Sequence, residues 1–246
     1  MIPLRDANPT RRLPVVTIGL IAACVAVFVY ELSVQATAGD IGLARLFRDY
    51  GLVPAALTSQ LAGGPGDGLV RAIFTVFSSM FLHGDLLHIG FNMLYLWIFG
   101  NNIEDRLGRP AFLAFYLAGG VLAAGAQVAI DPGSTVPVIG ASGAIAAVLG
   151  AYLVLYPRAR VQSLVFLGFF YQLLEVPAVI ILGIWFVIQV VSGVASLDPS
   201  SASGGIALFA HIGGFLGGVA VGLLVRGIGP SGRPRSVRSS DRVGVG

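Results

Sequence analysis

Long apolar segments alternate with short polar connections along this chain. A helix that crosses a bilayer core of roughly 30 Å needs about 20 apolar residues. Six segments approach that length, at Val15–Val34, Leu86–Asn101, Pro110–Ile130, Gly140–Tyr156, Pro177–Leu197 and Gly205–Arg226. Their apolar character is continuous, whereas the strands of a closed β-barrel alternate in polarity. The pattern therefore predicts an all-α polytopic membrane protein with six transmembrane helices.

Composition agrees with a membrane protein and weakens a nucleic-acid reading. The chain of 246 residues is 56% hydrophobic and 11% charged, whereas soluble domains carry about 25% charged residues. Its mean hydropathy is +0.86 and its pI is about 9.4. The basic pI invites a nucleic-acid partner, but the positions of the basic residues explain it better. We expect membrane lipid as a partner and no nucleic acid.

The basic residues, all arginines, fall mainly on one side of the predicted spans. Connections on that side and both ends of the chain carry 12 of the 15, namely Arg5, Arg11, Arg12, Arg106, Arg109, Arg158, Arg160, Arg226, Arg233, Arg235, Arg238 and Arg242. Because short loops rich in arginine stay in the cytoplasm, the pattern predicts cytoplasmic N and C termini and an even number of spans. Six spans satisfy that condition.

The chain divides into three predicted parts. Residues 1–14 form a cytoplasmic N-terminal segment, residues 15–227 a six-helix membrane domain, and residues 228–246 a disordered cytoplasmic tail rich in Ser, Arg, Pro and Gly. Attraction to anionic lipid is an alternative role for the tail. The apolar stretch Val161–Leu174 is short for a span, so we interpret it as an interfacial approach to the fifth span.

The first span has an alternative interpretation as a secretory signal. Arginines precede it, and Ala36-Thr37-Ala38 resembles a cleavage site. However, its apolar run is longer than the usual core of about 7–15 residues. We therefore favour a retained span, expected in the plasma (inner) membrane of a bacterium because of the Arg-, Gly- and Ala-rich composition.

Polar side chains cluster at one depth of the predicted bundle. His83 and His88 lie at the outer end of span two, and Asn92 lies one turn deeper on the same face as His88. Ser142 lies near the outer end of span four, and His211 lies about two turns into span six. Each residue alone has a structural interpretation, such as a bonded histidine at a helix end or a small residue at a helix contact. Together they place all three histidines in one half of the bilayer, which predicts a functional site.

Two chemistries are disfavoured by this pattern. His83 and His88 are five residues apart and are expected on different sides of a helix, which opposes a shared metal ion. Spans two, four and six have no carboxylate in their apolar cores, which opposes a proton relay. We therefore expect no metal and no other cofactor.

A serine nucleophile remains. Attack of a hydroxyl on an amide requires a base and donors for the oxyanion, and His211 can be the base if it reaches Ser142 within hydrogen-bond distance. With no carboxylate to orient the imidazole, the arrangement would be a dyad. Gly140 and Gly143 flank Ser142, and small residues repeat along span six after His211, so the helices can approach closely.

The motifs HGDLLHIGFNM, GASGA and AHIGG, in that order on spans two, four and six, resemble those of rhomboid intramembrane serine proteases. The resemblance covers about residues 71 to 225. It implies a rhomboid-like six-helix bundle with Ser142 as the nucleophile and His211 as the general base. It further implies an oxyanion hole made by His88, Asn92 and the Ser142 N–H, with His83 as structural support.

The sequence departs from that family at three places. Val70 stands where a Trp often precedes Arg71, and Ala146 stands where some members carry a Tyr that packs on the base. Ile206 replaces a glycine that often lies four residues before the AH dipeptide. These differences concern the packing around His211 and the shape of the outer loop.

The resemblance implies a substrate as well: a transmembrane helix cut near its outer end, with span five and the loop LDPSSASGG as gate and cap. Span five carries Trp185 and Phe186. Two other classes remain open. One is a rhomboid-like pseudoprotease that binds transmembrane helices without cutting them, although Ser142 and His211 are both present. The other is a channel or transporter, which the lack of internal repeats disfavours.

Overall fold

The chain is mostly helical. A computed structural model describes residues 2–65, 68–167, 170–195 and 208–227. Its helices are α1 Val15–Tyr50, α2 Pro54–Leu61, α3 Leu69–Ser78, α4 Leu86–Leu107, α5 Arg109–Ile130, α6 Ser142–Leu155, α7 Ala178–Ala195 and α8 Leu208–Gly227. Within α4, the turn Leu96–Gly100 is π-helical.

Each of the six predicted apolar segments overlaps one of these helices. By length and hydropathy, α1, α5 and α8 are candidate membrane spans. A fourth candidate is α3 with the 3-10 turn that follows it, joined to α4 across a bend of 84°. Both α6 and α7 are apolar but shorter. The structure thus agrees with a polytopic helical membrane protein, and the number of six spans stays a prediction.

A small antiparallel sheet corrects the all-α prediction. Strands β1 Ile2–Asp6, β2 Arg160–Leu167 and β3 Phe170–Pro177 pair in the order β1-β2-β3. Most of the stretch Val161–Leu174 therefore lies in β2 and β3, while its interpretation as an interfacial approach to span five stays a prediction. Val161 and Ser163 are buried while Gln162 is exposed, the period of two that a strand with one covered face requires.

The first helix extends beyond the predicted span. It continues past Val34 to Tyr50, with a break at Gly39, whose φ of +66° suits glycine. Its N-terminus is held by the carboxylate of Glu104, which accepts hydrogen bonds from the N–H of Thr17 at 2.8 Å and from the Thr17 hydroxyl at 2.8 Å. Helix starts have unpaired N–H groups and favour negative charge, so Glu104 ties α1 to α4.

Helix α6 lies at the centre of the core. All of its residues from Gly143 to Tyr152 are buried, because α5 and α8 pack closely against it. A methyl group added at Gly214 would overlap the carbonyl oxygen of Gly143, and one added at Gly218 would overlap that of Ala147. These contacts advance along both helices in the same direction, so α6 and α8 run parallel.

The arginines of the chain mark two opposite ends of the bundle. Arg106 donates to the carbonyl of Val225 at 3.3 Å, near the end of α8. Arg109 donates to the carbonyl of Leu13 at 3.4 Å, near the start of α1. Arg71 donates to the carbonyl of Asp49 at 3.2 Å, near the far end of α1. This separation fits the predicted sidedness, and the cytoplasmic assignment itself stays a prediction. The predicted tail (228–246), Ile206 and the cap loop LDPSSASGG lie outside the described residues.

Candidate active site

Ser142 is the first residue of α6, and a fixed loop leads into it. The N–H of Gly140 donates to the carbonyl of Ser79 at 2.8 Å, and Val138 pairs with Leu52. Gly140 has a φ of +118°, and a Cβ at this position would lie 2.7 Å from His88 Nε2. Both the backbone angle and the close imidazole require glycine here. The N–H of Ser142 lies in the first turn of α6, where backbone N–H groups have no carbonyl acceptor within the helix.

His211 lies directly against Ser142. Its Nε2 is 2.6 Å from Ser142 Oγ, although the two residues are 69 positions apart in the chain. The contact exists because α8 packs on α6 through glycines, which begin one turn after His211 at Gly214. The structure therefore brings together the two side chains proposed as nucleophile and base. Their catalytic roles stay a prediction.

The other nitrogen of His211 has a partner that the sequence analysis missed. His211 Nδ1 is 2.7 Å from Gln189 Oε1, which reaches it from α7. An amide within an otherwise apolar predicted span is the signal that identifies such a residue, because polar side chains in lipid usually face a partner inside the bundle. The predicted dyad thus has a third polar member.

His88 lies in the first turn of α4 with its ring towards Gly140. The Asp85 carboxylate caps this helix by accepting from the His88 N–H at 2.8 Å. The ring Nδ1 accepts a long hydrogen bond from the N–H of Gly84, at 3.4 Å. In a neutral imidazole that accepts at Nδ1, the proton lies on Nε2. This nitrogen lies beside Gly140 and Ser142, and the role of His88 as an oxyanion donor stays a prediction.

Asn92 lies one turn below His88 and is buried. Its amide Nδ2 has no hydrogen-bond partner among the described residues. A buried donor without a partner costs free energy unless a ligand or water satisfies it. Asn92, His88, Ser142 and His211 line one cavity of about 740 Å³, within the usual size of ligand sites. The structure therefore groups all four predicted catalytic and oxyanion residues around one space.

His83 is packed behind this site. Its ring is 1% exposed and meets the His88 ring edge-on, with centroids 5.2 Å apart. The expectation that these two rings face different sides of a helix is wrong, because His83 precedes the start of α4. The backbone N–H of His83 donates to the buried carboxylate of Glu31 at 3.1 Å. Glu31 is a further residue that the motifs did not indicate, although an acid within an apolar span is a signal for such a buried partner.

The packing around His211 explains one departure from the family pattern. Ala146 is fully buried, and its Cβ would be 3.3 Å from a methyl group at Gly214. A large ring has no space there. Instead, the indole of Trp185 on α7 lies against His211, with ring centroids 5.9 Å apart. Thus α7 supplies the aromatic cover of the imidazole.

Comparisons with known proteins match the family resemblance of the motifs. The model of the Rhomboid domain matches residues 70–228. Rhomboid protein 1, mitochondrial, of Saccharomyces cerevisiae is 29% identical over 182 residues, which cover 70% of this chain and 48% of the yeast protein. Rhomboid protease GluP of Bacillus subtilis is 34% identical over 142 residues, or 58% of this chain and 25% of the relative.

A human protein is also similar. Presenilin-associated rhomboid-like protein, mitochondrial, of Homo sapiens is 37% identical over 94 residues, which cover 37% of this chain and 24% of the human protein. The matched part of this chain therefore spans less than half the length of each of these three relatives.

Proposed function

This chain belongs to the rhomboid family, with the apolar helices of a multi-pass membrane protein, and from that premise we propose that it is an intramembrane serine endopeptidase. The observation that carries the proposal is the 2.6 Å contact between Ser142 Oγ and His211 Nε2 at the wall of a cavity. A hydroxyl becomes an effective nucleophile when a neighbouring base takes its proton. The name of the Bacillus subtilis relative, a rhomboid protease, supports the same activity.

The proposed reaction begins with acylation of Ser142. His211 Nε2 takes the hydroxyl proton while Oγ bonds to the scissile carbonyl carbon. The resulting oxyanion accepts hydrogen bonds from His88 Nε2–H, Asn92 Nδ2–H and the Ser142 N–H. One such donor typically contributes about 10²- to 10³-fold to the rate. The imidazolium then returns its proton to the leaving amine, and the peptide bond breaks.

Hydrolysis of the acyl-enzyme completes the cycle. His211 takes a proton from water as the water oxygen attacks the ester carbonyl, and the same donors hold the second oxyanion. Collapse releases a carboxylic acid and returns the proton to Ser142 Oγ. The cavity of about 740 Å³ leaves room for an extended stretch of substrate beside Ser142.

The proposed substrate is a transmembrane helix of another protein, cut near its outer end. This part of the proposal includes six spans, cytoplasmic termini and a bacterial plasma membrane. It is supported by the arginine-bearing end near Arg106 and Arg109, which is remote from Ser142. One relative is from Bacillus subtilis, whereas the yeast and human relatives bear mitochondrial names. The bacterial plasma membrane therefore rests on the composition of this chain.

The test is cleavage of a single-span substrate by the purified chain in liposomes. Wild type is compared with Ser142→Ala and His211→Ala, and Ser33→Ala on α1 is the matched serine control. We expect wild type and Ser33→Ala to cut and the other two variants to lose at least about 10³-fold in rate. A serine-directed fluorophosphonate should label wild type but not Ser142→Ala.

Two results would contradict the proposal. Continued cleavage by Ser142→Ala would show that another group is the nucleophile. A folded wild type that neither cuts nor reacts with the fluorophosphonate, yet retains the single-span helix in a pull-down, would favour the alternative of a helix-binding pseudoprotease.

A further inference from the structure

The hydrogen bond between α7 and His211 has a role that the dyad alone leaves unfilled. We propose that Gln189 is a positioning residue, so that the catalytic unit is the chain Gln189–His211–Ser142 drawn from α7, α8 and α6. The inference rests on the proposed function and adds a third residue to it. Its basis is a pair of short contacts on one imidazole, 2.7 Å at Nδ1 and 2.6 Å at Nε2.

The first step concerns the tautomer of His211. The carbonyl oxygen of Gln189 is an acceptor only, so the Nδ1 atom that faces it carries the ring proton. In the neutral imidazole the other nitrogen, Nε2, then has a free lone pair directed at Ser142 Oγ. A general base needs this tautomer, because the opposite one would present an N–H to the hydroxyl. Gln189 therefore selects the reactive form of His211.

The second step concerns charge. When His211 takes the serine proton it becomes an imidazolium, and the Gln189 carbonyl dipole then stabilises the N–H at Nδ1. A carboxylate would do so more strongly, but burying a charge among apolar helices costs far more than burying an amide. An amide acceptor is thus a compromise suited to a site inside a membrane bundle.

The third step concerns how Gln189 is held. It lies one turn after Trp185 on the same face of α7, and the Trp185 ring covers His211. Next to Trp185, the Phe186 ring stacks on Phe215 of α8, with centroids 4.5 Å apart. These aromatic contacts set the register of α7 on α8, which places the Gln189 amide at Nδ1.

The test uses variants of Gln189 in the full-length protein in liposomes. Gln189→Leu removes the acceptor at similar volume, and Gln189→Glu keeps an acceptor oxygen and adds charge. Gln127→Leu on α5 is the matched control, since its side-chain oxygen has no hydrogen-bond partner among the described residues. Three quantities are measured: kcat and KM separately, the rate of fluorophosphonate labelling of Ser142, and the pH–rate profile.

We expect Gln189→Leu to lower kcat about 10- to 100-fold, the usual scale for a hydrogen bond to a charged group, with KM within twofold. Labelling of Ser142 should slow by a similar factor, while Gln127→Leu should resemble wild type in both assays. Gln189→Glu should recover most of kcat. Its acid limb should shift to higher pH, because the added charge stabilises the imidazolium.

Several outcomes would overturn the inference. One is a Gln189→Leu variant as fast as Gln127→Leu; another is a loss confined to KM, which would assign Gln189 to substrate entry past α7. If Gln189→Leu does not fold, Gln189→Met, which also lacks the acceptor but keeps the unbranched shape, replaces it, and a kcat equal to that of Gln127→Leu refutes the role. If wild type does not cut any substrate, the proposed function fails, whereas labelling rates still test Gln189.

Discussion

A single methyl group placed between α6 and α8 should separate the two halves of the candidate site. The substitution is Gly214→Ala. The added Cβ would overlap the carbonyl oxygen of Gly143, the residue after Ser142, and would lie 3.2 Å from the carbonyl carbon of Gly143. Backbone atoms on both sides cannot rotate away, so the helices themselves must move apart. His211 lies one turn before Gly214 and must move with α8.

The magnitude follows from contact distances. Restoring an ordinary separation between the new methyl group and the Gly143 oxygen requires a shift of about 1 Å. The 2.6 Å contact between Ser142 and His211 then lengthens beyond a useful hydrogen bond. A misplacement of about 1 Å in a catalytic geometry costs on the order of 10²-fold in rate. The overpacked core should also lose about 1–3 kcal/mol of stability.

Cleavage of the single-span substrate measures the rate, and thiol labelling of the fully buried Cys24 measures unfolding. Gly125→Ala on α5 is the matched control, because a methyl group there meets no atom within 4 Å. It should keep the wild-type rate and gain up to about 1 kcal/mol from helix propensity. If Gly214→Ala cuts within twofold of wild type, the reasoning from helix spacing is refuted.

Three further predictions concern the contribution of buried polar contacts to stability, and the thiol-labelling assay of Cys24 measures each of them. Glu104→Ala should lower the free energy of unfolding by about 1–3 kcal/mol, because the Thr17 N–H loses its 2.8 Å acceptor. Glu31→Ala should cost about as much by orphaning the His83 N–H, whereas Glu31→Gln keeps an acceptor and should cost less; equal losses would contradict this. Burial raises the pKa of Asp6, so the folded state holds that proton to higher pH than the unfolded state. Wild type should therefore lose stability relative to Asp6→Asn as the pH rises above about 3.9, and parallel pH profiles would contradict it.

The helices could be predicted from the sequence, because each depends on local patterning. Continuous apolar runs such as Pro110–Ile130 form helices wherever the surroundings offer no water to satisfy backbone groups. The sheet could not be predicted from such runs. Strand β2 reads as an apolar segment, and its pairing with Ile2–Asp6 joins parts of the chain more than 150 residues apart. Pairing over that distance leaves little trace in local composition.

The candidate site likewise has features that could be predicted from the sequence and features that could not. The depth of each polar residue along its span was enough to predict that His88, Asn92, Ser142 and His211 belong together, because distance along a helix is set by the rise per residue. The contact between the His83 and His88 rings was mispredicted, since it depends on where α4 begins. A shift of the helix start by a few residues changes which side chains share a face.

The sequence by itself determined a rhomboid-like helical membrane protein with a serine and a histidine at the same depth. Only the tertiary structure decided what holds that histidine. Gln189 is 22 residues from His211 on another helix, and Glu31 is 52 residues from His83. Such contacts depend on how two helices cross and rotate against each other. Crossing and rotation are set by glycine contacts and aromatic stacking across the whole bundle, and not by the periodicity of either helix alone.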